Sequence, residues 1–87
     1  MTLIATKSLM GGTQKVYRYP NGYGASVLQH MYSYGGNEGL WELAVIMFPT
    51  KSDKNYSLTY RTPITDDVMG YLSWDAVEET LKRIEEL

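Results

Sequence analysis

The stretch Gly39-Leu40-Trp41-Glu42-Leu43-Ala44-Val45-Ile46-Met47-Phe48 decides the fold. Counting the glycine, nine of its ten positions are apolar, and Glu42 is its single charge. A strand with one wet face alternates apolar and polar residues. Here Leu40, Ala44, Ile46 and Phe48 occupy even positions, while Trp41, Leu43, Val45 and Met47 occupy odd ones. Both faces ask for burial, the mark of a central strand in a sheet covered on each side. A chain of 87 residues supplies one helix for one face. The other face then requires a loop, a second chain or a ligand.

Outward from this strand, the flanking segments read as its neighbours. Pro49 stops it, and Thr50 to Asn55 is polar throughout, an exposed loop. Tyr56-Ser57-Leu58-Thr59-Tyr60 alternates as a half-buried strand. On the other side, Lys15 to Tyr19 is rich in β-formers and Tyr23 to Met31 alternates. The Pro20-Asn21-Gly22 turn between them is suited to a hairpin, because proline presets one backbone angle and Asn-Gly tolerates positive φ. Residues 32–39, Tyr-Ser-Tyr-Gly-Gly-Asn-Glu-Gly, form a glycine-rich loop. Residues 1–14 read as an N-terminal arm or, over Leu3 to Ser8, a first edge strand ended by Gly11-Gly12. The rest, 15–87, is one domain.

Toward the C-terminus, Thr65-Asp66-Asp67-Val68 has the residues of a short helix start, a capping hydroxyl followed by two carboxylates. Ser73 is a second N-cap. From there Trp74, Val77, Leu81, Ile84 and Leu87 form one apolar stripe at helical spacing. The expected fold is α+β: a three- to four-stranded antiparallel β-meander with one C-terminal amphipathic helix packed on one face.

Composition bounds the function. At 44% hydrophobic and 21% charged residues the chain is an ordinary globular one. It has no cysteine, which removes disulfides, thiolate metal sites and cysteine nucleophiles. No apolar run reaches the ~20 residues of a membrane span, and Met1 to Lys7 lacks a basic region leading into a long apolar core, so no signal peptide is expected. The net charge of −2 is unevenly spread. Residues 1–61 carry six basic and three acidic side chains; residues 62–87 carry two and seven.

Catalytic signals are sparse. His30 is the only histidine, and the ordinary reading is a polar rim residue. Asp66 and Asp67 suit caps better than a cation or an acid–base pair, since further oxygen ligands at set spacing are missing. The Gly35-Gly36-Asn37-Glu38-Gly39 loop lacks the lysine of a phosphate loop and opens a strand rather than a helix. No metal site, cofactor or catalytic residue is expected.

The compositional excess is tyrosine, eight in all. Tyrosine offers large rigid contact area with a polar tip, which favours interfaces as well as cores. The leading expectation is a non-enzymatic binding protein whose interface uses Tyr17, Tyr19, Tyr32, Tyr34 and Trp41 to contact a protein, a second copy of the chain being one candidate. The alternative is a single-stranded nucleic-acid binder using Lys15, Arg18, Tyr60 and Arg61, because bases stack on aromatic platforms beside basic residues. The pI of about 5.2 weighs against a polyanion partner.

Four segments together carry a resemblance: Tyr19-Pro20-Asn21-Gly22-Tyr23-Gly24-Ala25-Ser26-Val27, Ser33-Tyr34-Gly35-Gly36, Gly39 to Val45, and Leu58-Thr59-Tyr60-Arg61-Thr62-Pro63-Ile64-Thr65-Asp66-Asp67-Val68. Over about residues 17–72 the chain resembles a family of small proteins encoded by tailed bacteriophages. The resemblance implies a product acting in the host cytoplasm; by analogy with other small phage proteins, the expected partner is a host or phage macromolecule, with host processes or defence as what it modulates. It implies no catalytic site.

Overall fold

The computed structural model describes residues 2–87 of the chain. Met1, the first residue of the expected arm, lies outside the described residues. Six strands and one helix follow in order: β1 (Thr2–Leu9), β2 (Gly12–Arg18), β3 (Tyr23–Gln29), β4 (Trp41–Met47), β5 (Ser57–Leu58), β6 (Met69–Leu72) and α1 (Trp74–Glu85). They form one antiparallel sheet in which β1, β2, β3 and β4 are successive neighbours. Both β5 and β6 pair with β4, at Ile46–Leu58 and Met47–Ser57 for β5 and at Trp41–Leu72 and Leu43–Met69 for β6. The fold is the expected α+β meander with a C-terminal helix, extended to six strands.

The strand with no counterpart in the sequence reading is β6. Of the two alternatives for the N-terminal segment, residues 2–9 take the edge strand, and β2 begins at Gly12. The short helix expected at Thr65–Val68 is absent. Thr65 instead closes a tight turn, its hydroxyl donating to Asp67 O (2.9 Å) and accepting from Asp67 N (3.2 Å). Hydroxyl and carboxylate side chains bond nearby backbone in turns as readily as at caps, so the same residues serve both.

The pleat sorts side chains to two faces. Tyr17, Tyr19, Ala25, Val27, Leu43 and Val45 meet Val77, Leu81 and Ile84 of α1 in the main core. Ser73 caps α1 by accepting from Ala76 N, and Asp75 in the first turn with Lys82 and Arg83 in the last complement the helix dipole. On the opposite face Val16, Ile46 and Phe48 make a smaller core with Ile4, Ala5 and Tyr56 packed against it. Its cover is the loop after β4. Arg18 holds that loop, with Nη2 donating to Thr50 O (2.8 Å) and Nη1 to Lys51 O (3.2 Å) and Asp53 Oδ1 (2.9 Å). The central strand is therefore covered on both sides, by a helix and by a latched loop. No helix of the described residues is long and apolar enough to cross a membrane.

Candidate functional site

The tyrosines divide sharply. Tyr17 and Tyr19 are 4% and 2% exposed and belong to the core. Burial, reinforced by the Glu78 carboxylate, raises the Tyr17 pKa. Tyr19 is pushed up to about 12 by burial first and then by Glu85 and Tyr17. Trp41 is half-buried, its ring 5.2 Å from that of Trp74 in an edge arrangement, and Lys15 Nζ lies 4.6 Å from the Trp74 ring. These three expected interface residues are committed to holding the helix on the sheet.

Tyr32 and Tyr34 are the reverse, 73% and 56% exposed. They project from the loop joining β3 to β4, and its backbone is tied at many points. The Ser33 hydroxyl accepts from His30 N (3.0 Å) and donates to His30 O (2.9 Å). His30 Nδ1 accepts from Tyr32 N at 3.0 Å. Glu42 Oε1 accepts from Tyr34 N at 3.1 Å. A 3-10 turn at Gly36–Glu38 is bracketed by Gly35 and Gly39, both in the left-handed region.

The loop also docks on β6. Tyr71 N donates to Tyr34 O at 3.1 Å. A Cβ on Gly70 would stand 2.5 Å from Tyr34 Cβ, so only glycine admits this approach. The β4–β6 register slips by one residue there, a bulge, and Tyr71 carries φ +56°. Left-handed backbone at a bulky residue costs about 1–2 kcal/mol. Tyr71 is nonetheless 60% exposed, so its ring recovers little of that by packing. Three tyrosines, Tyr32, Tyr34 and Tyr71, are thus exposed on hydrogen-bonded backbone, with Met31 also exposed on the loop.

Tyr71 was not singled out in the sequence. The signal was thin: its strand is four residues long, interrupted by Gly70, and its bulge depends on a loop more than thirty positions earlier.

The nucleic-acid set is not brought together. Lys15 faces the helix side over Trp74, while Arg18 lies on the opposite face, paired with Asp53 and 4.6 Å from the Phe48 ring. Tyr60 and Arg61 are exposed beyond β5 at the far edge. Asp66 and Asp67 are exposed in the turn before β6. Among the described residues no three His, Cys, Asp or Glu side chains cluster as a metal ion would require.

What the fold and these residues define is a small α+β protein that displays exposed tyrosines from a backbone-constrained loop and the strand it docks on. Compared with protein-family models, curated proteins and solved structures, the chain matches none.

Proposed function

We propose that this chain is a non-enzymatic binding protein that grips a protein partner through Tyr32, Tyr34 and Tyr71. The observation carrying this reading is the Tyr34–Tyr71 junction, where the backbones of two exposed tyrosines are hydrogen-bonded and Tyr71 takes a left-handed conformation. Backbone strain gathers at functional sites, where the surrounding structure maintains it. Aromatic side chains on pre-ordered backbone lose little entropy on binding, which is why they dominate interface energetics. The resemblance to phage-encoded proteins supports a partner in a bacterial cytoplasm, either a host protein or a phage one. Self-association through the same patch is the homodimer form of this proposal.

The test pairs affinity capture from bacterial lysate in high salt with sedimentation of the purified chain. Capture is repeated with a Tyr32→Ser, Tyr34→Ser, Tyr71→Asn variant, asparagine being chosen because it tolerates left-handed backbone. A retained protein, or a dimer, that disappears with the variant is the expected result. Equal retention by the variant would sink the assignment to this patch, as would a strict monomer that retains nothing.

A further inference from the structure

The loop after β4 does not fill the sheet face it covers. Between it and β1 lies an open groove of about 550 Å³, well inside the roughly 300–1,000 Å³ range of small-molecule sites. Ile4, Ala5 and Val16 supply an apolar floor and Tyr56 an aromatic wall. Lys7 and Lys54 stand over it together with Asp53.

The charges do not cancel. Asp53 is already engaged by Arg18 at 2.9 Å, whereas neither Lys7 nor Lys54 has an ion-pair partner among the described residues. A concave site edged by two uncompensated ammonium groups over a low-dielectric floor concentrates positive potential. Arg18, through its three bonds to the loop, holds the wall in place before any ligand arrives.

We propose that this groove binds a small amphipathic anion, an aliphatic or aromatic body bearing one acidic head. The body would lie on Ile4, Ala5 and Val16 against Tyr56, and the head would pair with Lys7 and Lys54. A second copy of the chain is a poorer occupant. Two copies would bring like charges together, and the irregular register of β1 between Leu3 and Ala5 disrupts the edge that a partner strand would extend. The groove shares no residue with the tyrosine patch, so the two proposals stand or fall separately.

The test is a titration of the full ¹⁵N-labelled chain, followed by amide shifts, with three probes below micellar concentration. Decanoate has body and head, decanol the body alone and acetate the head alone. Saturable shifts confined to residues around Ile4–Lys7, Val16 and Asp53–Tyr56 are expected with decanoate, with decanol and acetate each binding at least about tenfold more weakly. A Lys7→Gln, Lys54→Gln variant, changed only at exposed side chains, should lose about tenfold for decanoate while its decanol affinity stays put. The proposal is overturned if decanoate produces no saturable shift, or if decanol equals it and the lysine variant binds unchanged. Groove shifts that follow protein concentration without ligand would also overturn it, by showing that a second copy occupies the site.

Discussion

The Asn21 side chain closes the C-terminal end of α1: its Nδ2 donates to the Ile84 carbonyl at 2.9 Å from a turn 63 residues earlier in the chain. The same amide lies 3.2 Å from Glu85 O and 3.1 Å from Leu87 O, carbonyls left without helical partners at a helix end. Its Oδ1 accepts from Tyr23 N at 3.0 Å, so one residue shapes the β2–β3 hairpin and caps the helix packed over it. Asn21→Asp separates the two roles. The carboxylate keeps the acceptor for Tyr23 but replaces donors by negative charge at the negative end of the helix dipole. We expect a loss of about 1–2 kcal/mol in urea unfolding, with Asn21→Ala no worse. If Asn21→Asp were as stable as the parent, the cap would contribute nothing.

Tyr19 presents the opposite case, a polar atom without a partner. Its hydroxyl is buried and makes no hydrogen bond among the described residues. An unbonded buried hydroxyl costs about 1–3 kcal/mol, so Tyr19→Phe should unfold at higher urea, by about 1 kcal/mol. The pH dependence follows from the raised pKa. The folded state keeps the Tyr19 proton up to about 12, whereas an unfolded tyrosine releases it near 10. Between those values the folded state binds more protons, so stability is intact below about pH 10 and declines as pH rises toward 12. Tyr19→Phe should flatten part of that decline, as measured by unfolding between pH 9 and 12; Tyr17, raised in the same direction, supplies a further part.

The two-sided apolarity of Leu40 to Phe48 was enough to anticipate a doubly covered strand, because burial on each face is a local property of the alternation. The helix and its cap at Ser73 were legible for the same reason. The identity of the second cover was not. It depends on Arg18 reaching carbonyls more than thirty residues away, and no periodicity records that. The tyrosines show the same limit. Tyr17 and Tyr19 share a face opposite Arg18, a hint of burial that residue type alone obscures. Tyr71 becomes conspicuous only when its backbone angle is known. The Thr65–Val68 segment misled because hydroxyl and carboxylate chemistry suits a turn as well as a cap.

Gly35 tests whether the tyrosine loop is as tightly held as its contacts imply. Its φ is +90°, and a Cβ there would stand 2.9 Å from Tyr71 Cα and 3.0 Å from Leu40 Cβ. Gly39 has a similar angle, +74°, but nothing within 4 Å. Alanine at either position bears the left-handed penalty, about 1 kcal/mol. Gly35→Ala carries the clash as well and should cost about 1–2 kcal/mol more in thermal unfolding. Equal losses for the two variants would mean that the loop shifts away from β6 easily, and the case for a rigid aromatic display would weaken.

Arg18 makes the covering loop a latch that can be opened. Lys51 and Lys54 are exposed trypsin sites within that loop, and cleavage there requires the segment to detach locally. Arg18→Ala removes two bonds to carbonyls and the pairing with Asp53. All three are partly solvated, so their joint contribution is discounted to about 1 kcal/mol. Where opening and closing are fast relative to cleavage, that shift in the open population raises the rate about fivefold. Fragments ending at Lys51 or Lys54, followed by mass spectrometry, should appear correspondingly sooner. Arg18→Lys should not restore protection, because an ammonium cannot span Thr50 O, Lys51 O and Asp53 with the geometry of a planar fork. If Arg18→Ala were cleaved at the parent rate, the loop would be held instead by Phe48 and Tyr56, whose rings lie 5.3 Å apart beneath it, and Phe48→Ala would then be the variant that exposes the lysines.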